Sequence, residues 1–336
     1  MAETSLDNRA MILHRQALVV DMHCDSILRH IEGKEDISKK TRGHLDLPKM
    51  LKGGLKAQVF AIFPDPKKVK PNEFDRFVLN ATKKIKEICR ENSGKLCLAL
   101  SPSGLERIVR SGRIGVIIGV EGGHALEGDL SRIEGWFWAG VRLLTITWCN
   151  SNELGDASWD KNKPHCGLSP LGKKAIRVMN RLGMMIDVSH SAERTFYQIL
   201  EETRAPVLAS HSGVYALRRH NRNLKKAQLR ALAENHGVMG QVFLPSFLNH
   251  QPEKASIKDV LDSIDYVVQQ VGPDYVGLGS DFDGFSERLR ELEDATCLPK
   301  ITAGLIARGY PEIDVKKILG LNFLRVWKKV WQVRNI

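Results

Sequence analysis

The chain of 336 residues has 43% hydrophobic and 26% charged residues, a balance typical of globular proteins that excludes a disordered or fibrous chain. No segment approaches the roughly 20 consecutive apolar residues that a membrane-spanning helix needs, so we expect no membrane association. The N-terminus lacks the basic start and apolar stretch of a secretory signal, which predicts a cytoplasmic protein. The six cysteines of the chain form no C-x-x-C pair and predict neither a disulfide framework nor a cysteine zinc site.

The formal charge of +11 raises the alternative of a nucleic-acid-binding protein. The basic residues occur in short groups interleaved with acidic and apolar positions, which is typical of solvated helix faces. We therefore expect no nucleic-acid partner. A measurement of salt-dependent DNA binding, together with metal analysis, would discriminate a nucleic-acid-binding protein from one whose basic residues only cover solvated helix faces. The sequence leaves the oligomeric state open, and a homodimer is compatible with it.

Apolar strand-like runs alternate with helix-like segments from residue 17 onward, which predicts βα units and a parallel sheet. The predicted strands span 17–23, 57–63, 115–120, 141–147, 184–188, 206–209, 238–244 and 275–279. A short run at 96–100 is a candidate extra strand before a helix that begins at Ser101, Pro102 and Ser103.

Eight such repeats predict one (β/α)8 barrel, the TIM barrel, of the metal-dependent hydrolase (amidohydrolase-like) type. We expect a single domain over 1–336, with an N-terminal extension at 1–16 and C-terminal helices at about 300–333. The alternative is an open doubly wound sheet, but that fold more often has a Gly-rich phosphate turn after its first strand. Here the first strand ends instead in His23 and Asp25.

His23 and Asp25 lie two residues apart at a strand end and therefore point to the same face. An imidazole beside a carboxylate is half of a divalent-metal site, with zinc as the preferred ion. In isolation the pair is better explained as a core histidine and a turn aspartate than as a metal site. Only further ligand-type residues at other strand ends would favour a metal site over this structural explanation.

The other strand ends supply those residues. In chain order they are Glu121, His190, His211 and Asp281. Each alone could be a loop or capping residue, but independent capping roles would not place ligand types at so many strand ends that meet on one barrel face. Three imidazoles and three carboxylates suit two zinc-like ions. Glu121 is the best candidate to bridge them, with His23 and Asp25 on one ion, His190 and His211 on the other, and Asp281 handling protons.

Together these motifs resemble the membrane (renal) dipeptidases and their bacterial relatives. The resemblance rests on 23–25, 119–124, 187–190, 210–212 and 279–284, and on the closing helix at 318–326. It implies a binuclear zinc hydrolase that cleaves dipeptides, including those with a C-terminal D-residue, by means of a metal-bridging hydroxide. His23, Asp25, Glu121, His190 and His211 match the family's metal ligands.

The same resemblance assigns roles to three further residues. Asp281 matches the catalytic aspartate, and Arg222 matches an arginine that binds the substrate. Trp148 stands where the animal enzymes carry a substrate-binding histidine, and an indole cannot ligate zinc or carry a proton at neutral pH. Alternatives on the same barrel are a lactonase, a phosphotriesterase or a deaminase, because fold alone fixes no substrate. Those enzymes more often begin with His-x-His.

Overall fold

A computed structural model describes residues 2–335 of the chain. Its sheet contains nine parallel strands in the order β2-β1-β9-β8-β7-β6-β5-β4-β3, and β2 also pairs with β4. This last pairing closes eight of the strands into a barrel. The strands are β1 Val20–Cys24, β2 Ala57–Ile62, β3 Leu96–Leu98, β4 Ile114–Glu121, β5 Val141–Thr145, β6 Met185–Asp187, β7 Leu208–Ser212, β8 Val238–Gln241 and β9 Val276–Leu278.

The helices surround this barrel and follow most strands in turn. They are α1 Ala2–Gln16, α2 Ile27–Ile31, α3 Leu47–Lys52, α4 Phe74–Glu91, α5 Pro102–Arg110, α6 Ser131–Ala139, α7 Pro170–Leu182, α8 Glu193–Glu202, α9 Lys226–Glu234, α10 Pro245–Leu248, α11 Ile257–Val271, α12 Leu298–Ala307, α13 Glu312–Lys316 and α14 Asn322–Gln332. As predicted, Ser101 lies at the start of α5, where it caps the helix by accepting a hydrogen bond from the Gly104 N–H. No helix in 2–335 is long and apolar enough to cross a membrane.

The barrel interior is filled by side chains near the amino ends of the strands. Met22, Ile117 and Leu143 are buried there in one apolar cluster. Phe323 and Trp327 of α14 belong to the same cluster, so the C-terminal helix closes this end of the barrel. The packed end leaves the carboxyl ends of the strands, where the loops are longer, to form a site.

The predicted (β/α)8 barrel is confirmed, with differences at some strand ends. The first strand begins at Val20 because the chain up to Gln16 is helical and the Ala17 N–H still bonds to the Leu13 carbonyl. β7 runs to Ser212, beyond the predicted end at residue 209, because Ser212 pairs with Gln241 of β8. The short 96–100 run forms β3, which pairs with the first residues of β4 outside the barrel.

Candidate metal centre and active site

Five predicted ligands and Asp281 converge at the carboxyl ends of the barrel strands. His23 and Glu121 lie at the ends of β1 and β4, His211 lies in β7, and the others follow β1, β6 and β9. His23, Glu121 and His211 offer ligand atoms within 4.8 Å of one another, and so do His23, Asp25 and Asp281. The residues that sequence reasoning selected thus occupy one buried cluster.

Glu121 stands between two groups of imidazoles. One carboxylate oxygen, Oε2, lies 3.8 Å from Nε2 of His23. The other, Oε1, lies 3.0 Å from Nε2 of His190 and 3.5 Å from Nε2 of His211. The Nε2 atoms of these two histidines are 2.9 Å apart. Each oxygen therefore faces its own set of nitrogen ligands, as a carboxylate that bridges two ions must.

Local backbone geometry aims these side chains. The register of β1 against β2 shifts between Asp21 and Cys24, so β1 contains one extra residue. Bulges of this kind re-aim side chains, and here His23 faces the site although Met22 already points into the barrel. His190 and Asp281 have φ values of 68° and 62°, in the left-handed region that non-glycine residues rarely adopt. Such conformations are typical of functional sites.

The cluster is short of positive charge. Burial raises the pKa of Glu121 to about 8 and that of Asp281 to about 7. Burial would lower the pKa of His23, but nearby carboxylates, Glu121 first, raise it to about 10. Burial keeps the pKa values of His190 and His211 well below the usual range. Divalent cations would supply the missing charge.

The donor set also fits a metal. Both ring nitrogens of His23 are buried and have no hydrogen-bond partner among residues 2–335. A buried imidazole without hydrogen-bond partners destabilises the fold unless its nitrogens bind a ligand such as a metal ion. Imidazole and carboxylate ligands suit zinc, whereas a thiolate site would need cysteines. The Sγ of Cys149 lies 4.0 Å from Nδ1 of His190.

Sequence reasoning missed a buried hydrogen-bond chain behind His211. Nδ1 of His211 is 2.8 Å from Oγ of Ser210, which donates to Asp187 at 2.6 Å. Asp187 also accepts from the Thr145 hydroxyl at 2.7 Å and from the Ser189 N–H at 3.0 Å. Such partners fix which ring nitrogen of a histidine is free to ligate, which here is Nε2.

A similar arrangement supports the other side of the site. Asp21 of β1 accepts from the hydroxyl of Ser280 at 2.6 Å and from its N–H at 2.8 Å. Gln58 donates to the same carboxylate at 3.0 Å. This bridge fixes the chain just before Asp281. In both cases a serine immediately before a site residue bonds to an aspartate on the neighbouring strand, a signal readable only once the strand order is known.

A loop–loop contact holds the segment after Asp281 in place. Asp283 accepts from the N–H of His44 at 2.7 Å and lies 3.0 Å from Nδ1 of the same residue. Ser26 donates to the other carboxylate oxygen at 2.5 Å. His44 is thus a structural residue, and its other ring nitrogen lies 2.9 Å from the Glu287 carbonyl. The contact holds Gly284 directly against Asp25 and Asp281.

Replacing Gly284 with alanine is expected to damage the site while sparing the fold. A Cβ at this position would lie 2.4 Å from Oδ1 of Asp281 and 2.5 Å from Oδ2 of Asp25. These carboxylates would have to move, because the clash involves side-chain ends and not backbone. We expect metal affinity to fall about 10- to 100-fold, as when the supports of ligands are lost. Calorimetric metal titration and thermal unfolding of Gly284→Ala would check this, and unchanged metal binding would contradict it.

Arg222 and Trp148 border the cluster. The Arg222 guanidinium is buried and donates to the backbone carbonyl of His211 at 3.1 Å. Trp148 lies 4.4 Å from Phe63 between ring centroids and 6.5 Å from His190. Nε2 of His124 lies 3.0 Å from the Pro64 carbonyl and links the loop after β4 to the loop after β2. Its imidazole is therefore occupied outside the cluster.

Comparison with known proteins agrees with this geometry. The family model for membrane dipeptidase (peptidase family M19) matches residues 7–336. Dipeptidase tcpJ of Claviceps purpurea is 33% identical over 304 residues, which cover 88% of this chain and 71% of that protein. An uncharacterized dipeptidase of Schizosaccharomyces pombe is 33% identical over 311 residues, covering 88% and 74%.

Solved structures show the same similarity. The probable dipeptidase PvdM from Pseudomonas aeruginosa has a TM-score of 0.91 and 27% identity, with 98% of this chain and 99% of that chain covered. A metallo peptidase from Rhodobacter sphaeroides, liganded with a phosphinate mimic of the dipeptide L-Ala-D-Ala, has a TM-score of 0.85 and 26% identity, with 94% and 99% covered. This chain therefore belongs to the membrane dipeptidase family, peptidase family M19, and is a metallo-dipeptidase.

Proposed function

We propose that this enzyme hydrolyses dipeptides with two zinc ions held by His23, Asp25, Glu121, His190 and His211. The observation that carries the proposal is the position of Glu121, whose oxygens lie 3.8 Å from Nε2 of His23 and 3.0 Å from Nε2 of His190. Zinc bound there would lower the pKa of a water and polarise the scissile carbonyl. Metal analysis of the purified protein tests the proposal, with about two zinc ions per chain expected.

Asp281 is the residue proposed to move protons. Its Oδ1 lies 3.9 Å from Nε2 of His23, at the edge of the cluster. From this position Oδ1 can take the proton of the attacking water and return it to the leaving amine, which a single carboxylate can do in both directions. The bridge from Ser280 to Asp21 keeps the preceding backbone fixed during this transfer.

Arg222 is proposed to bind the free carboxylate of the substrate. The guanidinium is buried, and no carboxylate of the described residues pairs with it directly. A buried cation without a partner is costly, so an anionic group of the substrate would be bound strongly there. Recognition of that carboxylate close to the metals favours peptides of two residues, since a longer chain places its terminus elsewhere. Trp148, which is half-buried, is proposed to contact the substrate through its ring.

Blocking the substrate's carboxylate should reveal this contact. We expect the wild-type enzyme to hydrolyse L-Ala-L-Ala about 10- to 100-fold faster than its C-terminal amide. This ratio corresponds to the free energy that a hydrogen bond to a charged group contributes. In Arg222→Ala the two rates should become similar. Arg219→Ala is the matched control, because that exposed arginine lies in the same loop. Equal wild-type rates on both substrates would remove Arg222 from the proposed role.

Dipeptides with a C-terminal D-residue are proposed as substrates too. The support is the similarity to the Rhodobacter sphaeroides metallo peptidase, whose ligand mimics L-Ala-D-Ala. A panel of L,L and L,D dipeptides on zinc-loaded enzyme tests this directly. The same panel, extended to lactones, phosphotriesters and deaminase substrates, tests the other activities that this barrel supports.

A further inference from the structure

Two cavities border the proposed metal centre. A smaller cavity of about 260 Å³ is lined by His190 and Arg222. An open cleft of about 700 Å³ is lined by Gly284, which lies directly against Asp25 and Asp281. The smaller cavity therefore adjoins the histidine pair of the centre, and the cleft adjoins its aspartates.

The direction of a bound dipeptide follows from these positions. The proposed function places the substrate's carboxylate at Arg222, in the smaller cavity, and the scissile carbonyl at the metal ions. A dipeptide has one peptide bond, so its N-terminal residue extends from the metal ions away from Arg222. The cleft beside Asp25 and Asp281 is space that this residue can enter.

The wall of the cleft includes large apolar side chains from the loops after β5, β8 and β9. They are Trp159, Leu244, Phe247 and Phe285. Three of them keep accessible surface, because Trp159 is 50% exposed and both Leu244 and Phe285 are half-buried. Concave surfaces lined by aromatic and aliphatic side chains are typical sites for apolar groups of a ligand.

The charged side chains of the wall are engaged or hydrated. Arg29 pairs with Asp283, and Arg288 donates to two backbone carbonyls. Arg42 and Glu287 are exposed and can keep their water. The apolar surface is therefore the part of the cleft that gains most from contact with a ligand.

Trp159 is exposed but held in place. The N–H of Ser158 donates to the His190 carbonyl at 2.6 Å, which ties the chain before Trp159 to a proposed metal ligand. Asp160 accepts from a backbone N–H at 2.8 Å on the other side. The indole ring meets the ring of His220 edge to face, with 5.1 Å between centroids. A ring that is already oriented loses little conformational freedom when a ligand packs on it.

We propose that this cleft selects dipeptides with a large apolar or aromatic N-terminal residue, whose side chain packs on Trp159, Leu244 and Phe285. The inference rests on the proposed function, because Arg222 as the partner of the main-chain carboxylate sets the direction of the dipeptide. A benzyl side chain in the cleft would remove apolar surface from water on both partners, and contacts between aromatic rings add to this gain. The methyl group of alanine would bury far less surface.

The test compares Phe-Ala, Ala-Ala and Ala-Phe, each with the C-terminal residue in the L and the D form. Phe-Ala and Ala-Phe are isomers that carry the ring at different ends. We expect kcat/KM for Phe-Ala to exceed that for Ala-Ala by about 10- to 100-fold. In Trp159→Ala, kcat/KM for Phe-Ala should fall about tenfold further than the values for Ala-Ala and Ala-Phe. Trp138→Ala is the matched control and should keep the preference, because this tryptophan of α6 is 69% exposed and lines neither cavity.

The possible outcomes separate this inference from the proposed function. Similar kcat/KM for Phe-Ala and Ala-Ala, an unchanged preference in Trp159→Ala, or a loss confined to Ala-Phe would overturn the inference and leave the dipeptidase proposal standing. If no dipeptide were hydrolysed, the proposed function would fail. In that case calorimetric binding of Phe-Ala and Ala-Ala to the metal-free protein decides the inference. Tighter binding of Phe-Ala that weakens in Trp159→Ala supports it, and equal binding of the two dipeptides refutes it.

Discussion

Glu121→Gln is expected to abolish metal binding at the bridging position and with it nearly all activity. Glutamine has almost the same size but no charge, and its amide nitrogen cannot serve as the second ligand oxygen. The imidazoles of His23 and His190 would then lose the carboxylate that lies 3.8 Å and 3.0 Å from their Nε2 atoms. Loss of metal stabilisation of several kcal/mol corresponds to a fall in kcat/KM of about a thousandfold or more.

Zinc content by mass spectrometry, measured beside kcat/KM, checks this expectation. We expect clearly fewer than the roughly two zinc ions per chain proposed for the wild type. Glu153→Gln removes an exposed carboxylate from the loop after β5 and serves as the matched control. Thermal unfolding of the metal-free proteins shows whether the substituted chain still folds. A Glu121→Gln protein with full zinc content and normal activity would contradict the bridging role.

Asp281→Asn is expected to lower kcat by about 10²- to 10⁴-fold while both of the proposed zinc ions stay bound. An amide can neither accept the proton of the attacking water nor return it to the leaving amine. In the wild type, kcat should fall at low pH as this carboxylate becomes protonated, since only its charged form acts as a base. The variant should lack that acidic limb in its pH profile.

The decisive comparison is between metal content and rate. Asp281 belongs to a group with His23 and Asp25 whose ligand atoms lie within 4.8 Å of one another, so it could also serve as a ligand. If Asp281→Asn loses a zinc ion together with its activity, the residue is a ligand and not the base. If it keeps both ions and a kcat within about tenfold of the wild type, the proton-transfer role fails.

The barrel and the members of the cluster could be predicted because both leave short-range marks in the sequence. Buried parallel strands are continuous apolar runs, and the residues after them in the chain meet at one end of the barrel. His23, Glu121 and Asp281 were accessible to this reasoning because each follows or ends such a run. A family resemblance was needed for Arg222, which lies in a loop whose path the sequence does not reveal.

Other parts of the site depend on contacts between distant segments and could not be predicted. The extra residue of β1 becomes visible only when its register against β2 is known. Ser210 and Ser280 look like ordinary loop residues until strand order places them beside Asp187 and Asp21. In each case the information resides in the packing and not in a local pattern.

The hydrogen bonds from Ser210 to Asp187 and from Ser280 to Asp21 cross two seams of the barrel, where adjacent strands share the fewest backbone pairings. β6 pairs with β7 through Asp187 and Leu208, and β1 pairs with β9 through Asp21 and Leu278, with short ladders in both places. At each seam the side-chain hydrogen bond adds a link between the two strands. Because the proposed metal ligands His190 and His211 lie on the two sides of the β6–β7 seam, bound metal would join these two strands a second time. Slower amide hydrogen exchange in β6 and β7 after zinc is added would therefore show that the metal links these two strands.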